Sequence, residues 1–339
     1  MSWQNTALSW FLRHRFKPHS KPRSNSGPID IAALRKRAQG FFPSPKLPSG
    51  WRRHDGYRVS GSGDDSGGDS RGDSRGGLAL SGEWIEPIHP ESSAGTRPTV
   101  LYLHGGGYYF CSPRTHRPIT YALATGAQAR VFALDYRLAP EHPFPAAVDD
   151  ALAAYRALLE QGIAHTSIVL AGDSAGGGLG LATLVALRDA GDLLPAAAVV
   201  FSPWTDLAAT GHSLISNTER DAMFHGVSVG PAAQIYLGDA SATDPLASPL
   251  YADLHGLPPL LIQASDSEVL RDDALRFAER AREAGVEVQL ETWPDTPHAW
   301  QIFAQWLPEA RTALGRACTF IKRSTERSSS TTVEKRRAN

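Results

Sequence analysis

The sequence predicts an α/β fold, a doubly wound and mostly parallel sheet with helices on both faces, and three observations lead there. Thr99–Leu103, 131–134, 167–171, Ala197–Phe201 and 260–263 are short, nearly continuous apolar runs, as expected of strands buried on both faces. Segments of helical period alternate with them at Ala146–Glu160, 175–190 and 273–284. The composition, 42% apolar and 20% charged over 339 residues, supports a large core and excludes a disordered or fibrous chain.

From the N-terminus onward, Trp3, Trp10, Phe11 and Leu12 stand beside Arg13, Arg15 and Lys17. A helix over an active-site mouth is the preferred reading of this segment, and an amphipathic surface helix is the alternative. Asp30 can N-cap a helix running through Ala38. Residues 60–77 lack apolar side chains and predict a flexible loop, in which the Arg71, Gly72, Asp73 triplet is a low-complexity coincidence.

Later in the chain, Leu270, Ala274, Phe277, Ala278 and Ala281 share one helical face, and Gly285 is expected to close that helix. Val286, Val288 and Leu290 then alternate with Glu287, Gln289 and Glu291, which predicts a half-exposed strand. Residues 208–240 break the strand–helix alternation and, with the N-terminal segment, predict a lid built from two distant pieces. The expected division is 1–50 and 208–245 for the two parts of a helical cap, 51–207 and 246–321 for the core, and 322–339 for a disordered basic tail.

A formal net charge of −1 gives no general attraction for nucleic acid. Cys111 and Cys318 are the only cysteines, too few for a disulfide framework and without zinc-site spacing, so no metal is expected. No run approaches the ~18 apolar residues of a membrane span, and 7–12 is too short for a secretory core. A cytoplasmic location follows as the expectation, with a homodimer left open.

Gly172-Asp173-Ser174-Ala175-Gly176 follows an apolar strand and precedes a helix. The bare pattern is weak; the strand–turn–helix setting gives it meaning, because a sharp turn exposes the Ser174 hydroxyl where glycines let the backbone pass closely. His104-Gly105-Gly106-Gly107 follows another strand, and successive glycines let backbone N–H groups approach a tetrahedral oxyanion. The expected donors are the amides of Gly106, Gly107 and Ala175, with His104 anchoring the loop and not acting as a base.

A serine hydroxyl also needs an imidazole to take its proton and a carboxylate to orient that imidazole. Among twelve histidines, His298 lies after the last recognisable strand and before the C-terminal helix, where it can reach back over the sheet. The acid should follow 260–263. Asp272 and Asp273 suit a helix N-terminus, so Glu268 is chosen and Asp266 kept as its rival. Asp135, Arg137, Glu141 and His142 are read as parts of a rigid, ion-paired loop.

HGGGYY at 104–109, LDYRLAPEHPFPAA at 134–147, GDSAGGGL at 172–179, SPWTDL at 202–207, EVLRDD at 268–273 and PHAWQ at 297–301 together resemble the hormone-sensitive lipase family of α/β-hydrolase esterases. The N-terminal pattern is similar to its bacterial acetyl esterase and monoterpene lactone hydrolase branch. The resemblance implies the α/β-hydrolase fold with a two-piece cap, Ser174 as nucleophile, His298 as base, and Gly106, Gly107 and Ala175 as oxyanion donors. It implies no cofactor. Many members carry Asp at the acid position, whereas the matching residue here is Glu268, which keeps Asp266 in play.

The expected activity is a serine carboxylesterase acting on a small-molecule ester through an acyl-enzyme. Tyr108, Tyr109, Phe110, Trp204, Phe224 and Trp300 are candidates for a compact apolar pocket favouring short acyl chains. Lactone hydrolysis and amidase or deacetylase activity are the alternatives on the same machinery. A non-catalytic ligand receptor of this fold is disfavoured because His298 is present.

Overall fold

The computed structural model describes residues 1–19, 30–41, 45–59, 80–89 and 97–338; the loop expected at 60–77 lies outside the described residues. Eight strands form one sheet: β1 (Trp51–Val59), β2 (Leu80–Pro87), β3 (Thr99–Leu103), β4 (Arg130–Asp135), β5 (Ile168–Asp173), β6 (Ala197–Phe201), β7 (Leu260–Ser265) and β8 (Val288–Trp293). Their order is β1-β2-β4-β3-β5-β6-β7-β8. The β1–β2 and β2–β4 pairs are antiparallel and every other pair is parallel. This is the α/β-hydrolase architecture the sequence predicts.

Alternation along the strands sends side chains into two cores. Leu101, Leu103, Leu170 and Ile262 pack with Tyr155, Leu158, Leu181 and Phe277 from α4 (Ala146–Glu160), α5 (Ser174–Asp189) and α8 (Arg271–Glu283). Val100, Tyr102, Val169 and Leu261 pack on the other face with Ile119 and Leu123 of α3 (Arg117–Ala127) and Leu314 and Ile321 of α9 (Pro308–Ala338). Each large apolar side chain so enclosed contributes about 1.5–3 kcal/mol, which fixes the strand ends in space and with them the loops that carry the site.

Three expectations change. Residues 322–338 are not a loose tail, because α9 continues to Ala338. The reason is periodicity: Ala310, Ala313, Ala317, Ile321 and Thr325 are buried at intervals of three and four, so one stripe carries the helix past Lys322. The antiparallel hairpin partners β1 and β2 carry little apolar alternation and were not expected as strands. Trp300 is fully buried and packs at a tilt near Trp293, its ring centroid 5.7 Å away, as core and not as pocket lining.

The N-terminal segment forms α1 (Trp3–Arg15) and α2 (Ile31–Phe41). Ser2 caps α1, accepting from Asn5 N–H at 3.2 Å, and Asp30 caps α2 by accepting from Ala33 N–H at 2.9 Å. Leu12 is buried in the second core, while Lys17 donates to the carbonyls of Thr218 and Asp221. Residues 208–245 contribute the short α6 (Ser213–Ser216) and α7 (Val229–Leu237), whose Tyr236 stacks on Tyr108 with ring centroids 3.7 Å apart. Among the described residues no helix is long and apolar enough to cross a membrane, and no cluster of three or more His, Cys, Asp and Glu is arranged to hold a metal ion.

Candidate active site

β5 ends at Asp173 and α5 begins at Ser174, whose φ of 53° lies in the left-handed region. The turn closes only because its neighbours lack side chains. A Cβ at Gly172 would collide with the Gly176 carbonyl, and one at Gly176 with the carbonyls of Leu103 and His104. Ser174 is partly exposed, and its own carbonyl accepts from Trp204 N–H at 2.9 Å. Ala175 is in the first turn of α5, where N–H groups have no partner within the helix.

The loop after β3 lies against this turn. Gly106 and Gly107 adopt φ of 116° and 59°, and among the described residues their amides donate to nothing. Tyr136 Oη donates to the His104 carbonyl at 2.7 Å, and the two rings stack with centroids 4.3 Å apart. Burial, with the His116 charge in support, lowers the His104 pKa to about 3, so this imidazole is neutral at pH 7. Its Nδ1–H donates to the Gly105 carbonyl at 2.8 Å, an anchoring geometry and not that of a base.

Asp173 joins the loop to the turn. Its Oδ1 accepts from Tyr102 Oη at 2.6 Å and from Gly105 N–H at 3.0 Å, and its Oδ2 lies 3.1 Å from His116 Nε2. Burial alone would raise this carboxyl's pKa. The His116 charge and the hydrogen bonds from His116, Tyr102 and Gly105 outweigh it and hold the group below its ordinary value.

The acid and the imidazole meet as a closed pair. His298 Nδ1 lies 2.5 Å from Glu268 Oε2, both side chains being almost fully buried. The other oxygen, Oε1, accepts from Ser265 N–H at 2.8 Å, so the β7 end itself orients the carboxylate. Burial pushes the His298 pKa down, but the hydrogen bond and charge of Glu268, with the charges of Asp221 and Asp173, raise it above its ordinary value. Asp266 does not reach His298. It is half-exposed, paired with Arg220 at 3.3 Å and accepting from Asp295 N–H at 2.8 Å. Among the described residues no hydrogen bond joins the Ser174 hydroxyl to His298; apo geometries of this kind often tighten only with substrate bound.

Several residues that the sequence did not single out hold these groups. Ser202 Oγ accepts from Ala299 N–H at 3.1 Å, tying the His298 loop to the β6 end. Ser265 Oγ donates to the Thr296 carbonyl at 2.6 Å. Asn217 Nδ2 donates to the carbonyls of Asp266 and Glu268 at 3.0 and 2.9 Å. Asp221 accepts from the N–H groups of Met223, Phe224 and Val269. Phe224 stands edge-on to His298 at 5.3 Å and to Phe16 at 6.0 Å, so the N-terminal segment is one ring away from the imidazole. Ser202, Ser265, Asn217 and Asp221 share only a short polar side chain, a signal too common in sequence to single them out.

Within the charged stretch 135–142, two of the four side chains make the expected ion pairs. Arg137 pairs with the buried Asp150 at 2.8 Å, and Glu141 pairs with Arg35 of α2 at 2.7 Å. Arg35 also donates to the carbonyls of Tyr109 and Ala139, binding α2 to the loop beside the site.

A serine on a sharp strand-to-helix turn, a glycine loop with undonated amides and a carboxylate–imidazole pair at one end of such a sheet match the plan of an α/β-class hydrolase. Comparison with known proteins agrees. Residues 100–302 match the family model described as α/β hydrolase fold. An acetyl-hydrolase of Streptomyces hygroscopicus is 47% identical over 245 residues, 72% of this chain and 80% of that protein. An esterase of Acinetobacter venetianus is 38% identical over 244 residues, 72% of this chain and 80% of that one. Among solved structures, an esterase from the bacterial hormone-sensitive lipase family superposes with a TM-score of 0.82 at 40% identity, covering 96% of this chain and 99% of that chain. The chain belongs to the α/β-hydrolase fold family, in the esterase and lipase group closely related to bacterial hormone-sensitive lipase, and it is a hydrolytic enzyme.

Proposed function

We propose that the chain is a serine carboxylesterase of short-chain acyl esters, with Ser174 as nucleophile, His298 as general base and acid, and Glu268 as the residue that orients it. The observation that carries this reading is the buried 2.5 Å contact between Glu268 and His298 Nδ1. With Nδ1–H given to the carboxylate, Nε2 is the nitrogen left to take the Ser174 proton. Ser174 Oγ attacks the ester carbonyl, the amides of Gly106, Gly107 and Ala175 hold the oxyanion, and His298 protonates the departing alcohol. Water, deprotonated by the same imidazole, then attacks the acyl-enzyme and restores Ser174.

Each oxyanion donor in such a site supplies about 2.7–4 kcal/mol of transition-state stabilisation. Residues 1–50 and 208–245 serve as the two parts of a cap over the site, a role supported by the contacts of Arg35, Lys17, Phe16 and Tyr236 with the loops around it. The short-chain preference is supported by the aromatic crowding of Tyr108, Tyr236 and Trp204 beside the glycine loop. The relative from Streptomyces, an acetyl-hydrolase by name, points the same way.

The test is turnover of p-nitrophenyl esters from acetate to laurate by the wild type and by Ser174→Ala. The proposal expects highest turnover on acetate or butyrate and none above background in the variant. Full activity in Ser174→Ala, or a maximum at laurate, would overturn it.

A further inference from the structure

We propose that His116 is a positioning residue for the reaction: through Asp173 it locks the glycine loop against the nucleophile turn and so sets where the Gly106 and Gly107 amides stand relative to Ser174. The inference rests on the esterase reading above and assigns a function to a buried histidine that the reaction steps leave unused.

One carboxylate bridges the two walls of the site. Asp173 is covalently next to Ser174, and its Oδ1 holds Gly105 N–H at 3.0 Å, one residue before the donor amides. The loop rests directly on that carboxylate, since a Cβ at Gly105 would strike Asp173 Oδ2. His116 Nε2 faces the same Oδ2 at 3.1 Å, where no other described side chain reaches. Both side chains are nearly sealed from solvent, at 2% and 4% exposure, so water cannot replace the bond if it is lost.

His116 is itself held in place. Its Nδ1 lies 2.8 Å from Thr115 Oγ1, which accepts from Ser112 N–H at 3.1 Å and donates to the Ser112 carbonyl at 2.7 Å. The imidazole therefore stands on a closed turn and not on a mobile side chain. Removing its bond leaves Asp173 Oδ2 buried and unpaired, a cost that rotation of the carboxylate toward another donor relieves. Such a rotation disturbs Oδ1 as well, and with it Gly105. A displaced amide weakens the hold on the tetrahedral oxyanion more than on the planar ester, so the loss belongs in kcat and not in KM.

Two substitutions separate this role from packing. His116→Gln carries an amide nitrogen long enough to reach Asp173, whereas His116→Asn keeps a partner for Thr115 but stops short of the carboxylate. Each is assayed on p-nitrophenyl butyrate for kcat and KM. Each is also titrated with a trifluoromethyl ketone, which forms an oxyanion on Ser174, and with butyrate, which does not, beside wild type and Ser174→Ala.

The expected result is a fall in kcat of about 10- to 100-fold in His116→Asn with KM within about twofold, a matching loss of ketone affinity, unchanged butyrate binding, and recovery of most of the rate in His116→Gln. Should His116→Asn not fold, Tyr102→Phe, which removes the other side-chain donor to Asp173, is expected to show the same split between kcat and KM. Equal rates in the Asn and Gln variants, or ketone affinity unchanged while only the melting temperature falls, would overturn the inference and leave the esterase reading standing. A wild type without turnover removes both.

Discussion

Glu268 splits its carboxylate between two partners, Ser265 N–H at Oε1 and His298 at Oε2, so the group that orients the imidazole is itself oriented by the end of a strand. Glu268→Gln keeps the shape but offers an amide in place of an anionic acceptor, and the wrong imidazole tautomer follows. Its kcat is expected to fall about 10³- to 10⁴-fold, while Asp266→Asn stays within a few-fold, because Asp266 engages only Arg220 and a backbone amide. Steady-state kinetics of the pair decide this; equal losses contradict the assignment. The same geometry sets the pH dependence. In the proposed reaction His298 acts as a base only when unprotonated, and Glu268 helps hold its pKa above the ordinary 6.5. The acid limb of kcat/KM should therefore lie above pH 6.5, and Glu268→Gln should move it to lower pH. A wild-type limb at or below 6.5 refutes the electrostatic account. At this scale the Ser174 turn and the Glu268–His298 pair were legible because each falls just past a strand end in a distinctive local pattern. Ser202, Asn217 and Asp221 were not, because they act through backbone atoms and any short polar residue looks the same in sequence.

Strands and helices were legible where burial imposes a pattern. Thr99–Leu103 is buried at every position, and α8 shows its apolar stripe in the residues themselves. β1 and β2 escaped notice because their pairing with each other and with β4 is a long-range fact that leaves little local alternation. The turn from Asp221 to Phe224 shows how an irregular element can matter as much as a helix. Asp221 is fully buried, a setting that raises its pKa, with the N–H groups of Met223, Phe224 and Val269 opposing that shift. Asp221→Ala leaves those three amides without their acceptor, a loss of at least about 1–3 kcal/mol. Thermal unfolding should show a melting temperature lower by several degrees, and kcat should fall in parallel because Val269 adjoins Glu268. An unchanged melting temperature would refute this role for the turn.

The whole molecule brings together segments distant along the chain, up to 307 residues apart for Ser2 and Glu309. Ser2 bonds Glu309, Asn5 Nδ2 donates to the Asp295 carbonyl, and Phe16 touches Phe224 on the outer side of His298. A chain beginning at residue 30 should retain the parallel sheet, seen as preserved circular dichroism, yet lose kcat/KM several-fold as the Asp295 and Phe224 segments loosen. Retained activity with the segment gone would show that it merely covers the core. Reaction with a p-nitrophenyl alkylphosphonate, followed by peptide mapping and residual activity, tests the central claim most directly. A single adduct on Ser174, formed in step with loss of esterase activity and far more slowly in His298→Ala, is the predicted result; an adduct on another residue, or Ser174→Ala modified and inactivated like the wild type, contradicts it.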